Sequence, residues 1–362
     1  MNGIRLGRVH LSSRRLAEIV VGFGLTAILL GWGLPHFAKT SWSAVWAIVS
    51  RLSPAQAGLY LLLVLVGLWC YTFTFTASLP GLSHPRAFLV NIAGSSVSNL
   101  LPGGGAAGLA ATFTICRSWG FPRRAVSTSA IVTGVWNILA RILLPIIAVA
   151  SLALGSHDLP RIMRDAAIAA VLSGIGLVAL FAAFIASERA AARIGHTLDR
   201  LAGPLARRTH RTMSLDALVR DLRARIVGVV RRGWFGLTVG LVGYFGFYYV
   251  LFVVITRETG VHLFFGQVFA AFALGRLLTS VGVTPGGVGV TETGTAAALV
   301  AWGADPAQAT AGVVLFSIFT HLMEVPLGAA GWLAWSVLPR PELAGDLDDP
   351  AEQPPQPTSR RT

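Results

Sequence analysis

The sequence predicts an all-α polytopic integral membrane protein: about six full transmembrane helices plus two re-entrant broken-helix hairpins, arranged in two inverted repeats. Three observations carry this expectation. Of 362 residues, 54% are hydrophobic and only 12% charged, with mean hydropathy +0.67, whereas a soluble domain carries about 25% charged residues. Six apolar stretches reach the roughly 20 residues needed to cross a bilayer. Two further apolar stretches are interrupted by Pro-Gly-Gly, and the interruptions lie 183 residues apart.

The elements follow in order along the chain. Residues 1–16 form a cytoplasmic N-terminus, whose Ser13-Arg14-Arg15 leads into a first apolar span at about 17–37, inside a unit ending at 54. The first repeat, 55–153, has spans at 55–80 and 125–153. Between them lies the stretch 87–116, broken at Leu101-Pro102-Gly103-Gly104-Gly105. Proline removes a backbone donor and consecutive glycines are poor helix formers, so this stretch is not one continuous helix. A connecting span at 165–187 lies within 154–187. The loop 188–232 holds eleven arginines; from Ser214 its apolar residues fall at helical spacing, which predicts an amphipathic helix on the cytoplasmic leaflet. The second repeat, 233–337, has spans at 233–256 and 307–337 and a stretch 264–301 broken at Thr284-Pro285-Gly286-Gly287-Val288-Gly289. Residues 338–362, rich in proline and acids, read as a disordered cytoplasmic tail.

The net charge of +13 comes with 28 of the 29 basic residues being Arg, clustered between apolar segments. No aromatic residues interleave with them as base stacking requires, so nucleic acid is excluded as a partner. Cytoplasmic loops collect positive charge. If both broken stretches are re-entrant, 22 basic residues lie on the cytoplasmic side and five on the other; if both cross, the division is 11 against 16. The rule therefore favours hairpins, and it places both termini in the cytoplasm of a multi-pass cell-membrane protein. Two cysteines, Cys70 and Cys116, are too few for a disulfide framework.

The two halves match at the offset of 183. Pro102-Gly103-Gly104 falls on Pro285-Gly286-Gly287, Trp119-Gly120 on Trp302-Gly303, and Arg141 on Glu324. Interrupted helices at corresponding places of two halves point to a transport site near the midplane. Ionisable residues inside the spans cost at least about 2.5–3.5 kcal/mol each on insertion scales, so they need a partner or a cavity. Here they are Arg141, Arg276, Glu292, His321 and Glu324, with Asn91, Asn99 and Asn137 as further polar groups. A half-helix after each break offers unpaired N–H groups and a positive dipole end, a ready anion site. The glycines of the breaks, Gly104, Gly105, Gly286, Gly287 and Gly289, permit close approach to the backbone, and Pro102 and Gly103 belong to the first turn. The expected binding set is therefore Asn99, the two Pro-Gly-Gly turns, Gly289, Arg141, Arg276, Glu292, His321 and Glu324.

Glu292 has two readings: a carboxylate that stabilises its own helix terminus or pairs with Arg276, or one that meets a cationic group or carries a proton. His321 and Glu324 stand three apart on one face, too few ligands for a metal site. No catalytic residue is expected, because Gly94-Ser95-Ser96 lacks the base partner of a hydrolase. No cofactor is expected.

LLPGGGAAGLAATFTICRSWG and GVTPGGVGVTETGTAAALVAWG, with the apolar pattern around them, resemble the lysylphosphatidylglycerol synthetase transmembrane-region family, also described as flippase-like integral membrane proteins. The resemblance covers roughly 15–338. Pro285-Gly286-Gly287-Val288-Gly289-Val290-Thr291-Glu292 resembles the family's PGG-x-G-x-x-E signature, which implies functional roles for Pro285, Gly286, Gly287, Gly289 and Glu292, with Arg276 upstream. In the first repeat the chain has Gly108-Leu109 where the family often shows Gly-Glu. Bifunctional members carry an additional aminoacyltransferase domain; about 24 residues follow the last span here, so no synthetase activity is expected. The resemblance implies a lipid flippase-like transporter that moves a phospholipid or lipid-linked polar headgroup. Alternatives are a proton-coupled small-solute transporter and a non-transporting partner of a separate lipid-modifying enzyme. Expected partners are membrane lipids, anionic phospholipid or lipid-linked substrate; the oligomeric state is left open.

Overall fold

The computed structural model describes residues 41–101, 104–154, 215–279 and 284–338, with isolated positions within 28–32 and 172–187. The expected first span at 17–37, the connecting span at 165–187, most of the arginine-rich loop, both termini, Pro102 and Gly103 lie outside the described residues. Among the described residues every regular element is helical.

A short helix α1 (Trp42–Val49) starts on Ser41, whose hydroxyl accepts from the Ala44 N–H. Helix α2 (Pro54–Ser78) begins with a reciprocal cap: Ser53 Oγ accepts from the Gln56 N–H, and Gln56 Oε1 accepts from the Ser53 N–H. Two arms follow, α3 (His84–Leu100) and α4 (Gly105–Ser118), then the long α5 (Arg123–Leu154). The second half runs through α6 (Leu215–Glu258), α7 (Phe265–Leu278), a 3₁₀ turn at Pro285–Gly287, and α8 (Val290–Ala301). It ends with α9 (Pro306–Ser317), a π-helical turn at Ile318–Leu322, and α10 (Glu324–Val337). Among the described residues, four helical stretches are long and apolar enough to cross a membrane: Pro54–Ser78, Arg123–Leu152, Arg223–Glu258 and Pro306–Val337.

Both broken stretches fold back on themselves. In the first, Gly94 lies against Thr112 and Gly108, and Ser98 against Gly108 and Gly104. In the second, Gly275 lies against Thr295, Leu278 against Gly294, and Thr279 against Gly287. Numbers rise along one arm as they fall along the other, so each pair of arms is antiparallel. A Cβ on Gly108 would stand 2.0 Å from Ser98 Oγ; glycine is what lets these arms close. In lipid, helices associate through such close packing rather than through hydrophobic burial.

The hairpins open at opposite ends of the molecule. Ala87 at the start of α3 and Trp119 after α4 share one cluster with Leu79 after α2 and Val126 in the first turn of α5. The second hairpin starts where Gly266 meets Ser151 near the end of α5, and Trp302 packs against the core cluster that contains Val261 and Ala304. The tips meet in the middle: a Cβ on Gly286 would lie 3.2 Å from Asn99 Oδ1. The two halves are thus inverted repeats in space. Helices α2 and α6 hold them together, antiparallel, with Gly233, Gly236, Gly240 and Gly243 seated on Cys70, Phe73, Thr74 and Ala77. Edge-on ring contacts pack the core beside the second hairpin, among them Phe252–Phe316 at 5.1 Å and 78°.

One expectation needs correction. The amphipathic stretch after Ser214 is not separate from the span that follows: α6 runs unbroken for 44 residues, about 66 Å at 1.5 Å per residue. Nothing between the stretch and the span breaks a helix, since no proline intervenes, and Ile226 and Leu237 share one apolar cluster with Val132 of α5. The last span stands where it was expected, at Pro306–Val337, with a π turn at Ile318–Leu322 inside it.

Candidate functional site

The meeting hairpin tips enclose a cavity of about 490 Å³. Its walls come from both repeats: Ser95, Ser98 and Asn99 on α3, Gly104 and Gly105 at the first tip, and Arg141 on α5. Tyr244 on α6, Arg276 and Thr279 at the end of α7, and Thr284, Gly286 and Gly287 at the second tip face them. Thr320, His321 and Glu324 close the last side. The expected residues Asn99, Gly104, Arg141, Arg276, Gly286, Gly287, His321 and Glu324 therefore converge, although they span more than half the chain.

Three expected residues stand differently. Pro285 lies in the second tip and faces an adjoining apolar groove instead of the cavity. Gly289 turns the backbone: its φ is +92°, with Gly286 and Gly287 also in the left-handed region at +60° and +76°, which only glycine adopts at little cost. Glu292 is 1% exposed and lies outside the cavity. One of its oxygens accepts from the Gly289 N–H and the other from the Ser317 hydroxyl. It caps α8 and clasps the hairpin to α9. Of its sequence readings, helix-terminus stabilisation describes its contacts, and its hydrogen bonds do not go to Arg276.

This changes the expected anion site. The N-terminus of α8 already carries a built-in carboxylate, whereas that of α4 has none. The third residue of α4 is Ala107, and the residue matching Glu292 at the repeat offset is Leu109. Gly104 makes no side-chain cap. Gly104 and Gly105, at the N-terminus of α4, line the cavity, and first-turn N–H groups have no partner within their own helix.

The charges inside are held in distinct ways. Arg276 is 5% exposed and its guanidinium stacks near Phe316 and Phe272, at 5.1 and 5.7 Å from the ring centroids. Its Nε has no hydrogen-bond partner. Arg141 donates through Nη1 to Thr279 Oγ at 2.8 Å, and that hydroxyl donates to the Arg276 carbonyl at 2.6 Å. Glu324 accepts from Asn99 Nδ2 at 2.9 Å and from the Tyr248 hydroxyl at 3.0 Å. The cavity thus carries two arginines and a helix N-terminus against one hydrogen-bonded carboxylate.

The chain matches the family described as Lysylphosphatidylglycerol synthase TM region over residues 19–328. It belongs to that family. No curated protein matches the chain. The match to the Lysylphosphatidylglycerol synthase TM region contains both hairpins and every cavity residue from Ser95 to Glu324. The site therefore sits in the fold shared with this family of membrane proteins linked to lipid modification or transport.

Residue-by-residue reading missed Ser98, Tyr244, Tyr248, Thr279, Thr284 and Thr320. A signal for two groups was present. Ser95, Ser98 and Asn99 fall at helical i, i+3, i+4 spacing on one face of α3, and Tyr244 and Tyr248 stand four apart in an otherwise apolar helix.

Proposed function

We propose that this protein is a flippase-like lipid transporter that moves an anionic phospholipid or lipid-linked headgroup across the cytoplasmic membrane without altering it covalently. The observation that carries the proposal is Arg276: a buried guanidinium, with no hydrogen-bond partner at Nε, at the wall of a polar cavity between two opposed hairpin tips. A phosphate there meets Arg276, the N-terminal N–H groups of α4 and glycine backbone that allows close approach. Inverted repeats meeting at a midplane site support alternating access, one repeat rocking against the other. In this reading the end carrying Arg86, Arg117, Arg123 and Arg124 faces the cytoplasm, as do both termini.

Glu324 favours a second reading, a proton-coupled solute transporter. Among the described residues it is the one buried carboxylate on the cavity, and so fits the role of proton carrier that the sequence reading considered for Glu292. Leaflet exchange of a labelled anionic phospholipid in reconstituted vesicles tests the first reading. Exchange by the wild type, lost in Arg276→Ala, supports it. Absence of exchange together with proton-driven uptake of a water-soluble anion would replace it with the second.

A further inference from the structure

The cavity has an apolar neighbour. A groove of about 330 Å³ runs between α3, the second hairpin tip and the α9–α10 span. Its walls include Leu100, Val288, Ile318, Leu322 and Val325, with Pro285 at the tip. Asn99 and His321 line both spaces, so the polar cavity and the apolar groove share a wall at the tips. Leu322 is 64% exposed and Leu100 47%, so the groove is open on its outer side.

The local backbone explains why the groove exists here. The π turn at Ile318–Leu322 inserts an extra residue into the span, and Pro326 just beyond it has no N–H to bond back. Such turns re-aim side chains within a helix. His321 lies on both spaces while Ile318 and Leu322 line the groove alone. A second apolar groove of about 420 Å³ lies between α5, α6 and α7, with Leu143, Val242 and Phe269 among its walls, but it shares no lining residue with the cavity.

Resting on the lipid-transport reading, we propose that the groove beside the π turn is the acyl-chain path: one hydrocarbon chain of the transported lipid lies along Leu100, Ile318, Leu322 and Val325 while its headgroup occupies the cavity. The occupant follows from continuity and chemistry. A lipid whose anionic group reaches Arg276 must leave its chains in an apolar environment, and the α5–α6–α7 groove, although the same helices border the headgroup space, shares no lining residue with it.

The test uses the full chain in phosphatidylcholine vesicles containing phosphatidylglycerol with a diazirine on its acyl chain. Cross-links are expected on Leu100, Ile318, Leu322 or Val325. Cross-links confined to Leu143, Val242 and Phe269, or spread evenly over the lipid-facing surface, overturn the proposal. In parallel, Leu322→Trp and Val325→Trp are expected to slow phosphatidylglycerol exchange at least about tenfold, equivalent to about 1.4 kcal/mol of barrier. Binding of the soluble headgroup glycerophosphoglycerol should stay unchanged, as should exchange in Val242→Trp. Normal exchange in both groove variants overturns the path while leaving the lipid reading intact. A wild type that exchanges no lipid overturns the lipid reading itself.

Discussion

Arg141 and Glu324, equivalent positions of the two repeats, each hold the hairpin of the opposite repeat. Arg141 on α5 donates to Thr279 at the end of α7, and Glu324 at the start of α10 accepts from Asn99 at the end of α3. The backbone of the two halves is inverted and alike, while the charge at this pair of positions changes sign. Each latch crosses from one repeat to the other at the wall of the cavity, so any rocking of the repeats must stretch or exchange these bonds.

The latches predict a pattern of coupling. In double-mutant cycles read by thermal unfolding in detergent, Arg141→Ala with Thr279→Ala should couple by about 0.5–3 kcal/mol, as should Asn99→Ala with Glu324→Ala. Additive effects within either pair would show that the contact does not hold the hairpin.

Arg276 should be the most sensitive binding residue. Hydrogen bonds to charged groups contribute about 1.5–3 kcal/mol, so Arg276→Ala should weaken binding of an anionic headgroup about 10- to 100-fold. Arg276→Lys should recover only part of this, because a compact ammonium cannot reproduce the planar stacking beside Phe272 and Phe316. Equilibrium binding of glycerophosphoglycerol to the purified protein measures both variants. Full rescue by lysine would reduce the role of Arg276 to that of a point charge.

Glu292 should behave as a structural residue. Both carboxylate oxygens have donors inside the fold, so Glu292→Ala strands a buried N–H and a hydroxyl at a cost of about 1–3 kcal/mol. Glu292→Gln and Ser317→Ala should lower the melting temperature while leaving the pH profile of lipid exchange in place. A pH profile flattened by Glu292→Gln would make it a proton carrier instead.

Much of this site was legible because chain interruption and buried charge are local properties. Pro-Gly-Gly in an apolar stretch forbids a continuous helix wherever it occurs, and Arg141, Arg276 and Glu324 require a cavity or partner at any depth. What sequence left open was direction. Glu292 read from sequence either as a carboxylate on its own helix terminus or as a proton carrier, and the positive-φ turn at Gly289 brings it back onto its own helix, where it accepts from the Gly289 N–H. The π turn was equally hidden, since Ile318–Leu322 has no residue that marks it and its effect depends on Pro326 and on α3 packed alongside. The continuous α6 went unread because the change from amphipathic to apolar composition near Gly233 looks like a boundary, although helix hydrogen bonding is indifferent to it.

The inverted arrangement predicts opposite accessibility for the hairpin bases. With Cys70 and Cys116 replaced by alanine, Arg124→Cys and Ala301→Cys, both exposed, should react with a membrane-impermeant maleimide from opposite sides of oriented vesicles. Labelling of both from the same side would contradict hairpins that open at opposite ends.

The difference between the two half-helices gives a sharper test of the anion site. The third residue of α8 is Glu292, which occupies the N-terminus of its own helix; the third residue of α4 is Ala107, which leaves the cavity-facing end uncapped. Ala107→Glu would give α4 the same built-in carboxylate. A charge at a helix N-terminus contributes about 0.3–1 kcal/mol when exposed and up to about 2 when partly buried. The new carboxylate should therefore stabilise the hairpin slightly while competing with an anionic headgroup for the same N–H groups. Phosphatidylglycerol exchange should slow several-fold as the melting temperature holds or rises, and Ala107→Gln, which lacks the charge, should exchange faster than Ala107→Glu. Equal exchange by the two variants would mean that the α4 terminus takes no part in holding the anion, leaving Arg276 and Arg141 to hold it alone.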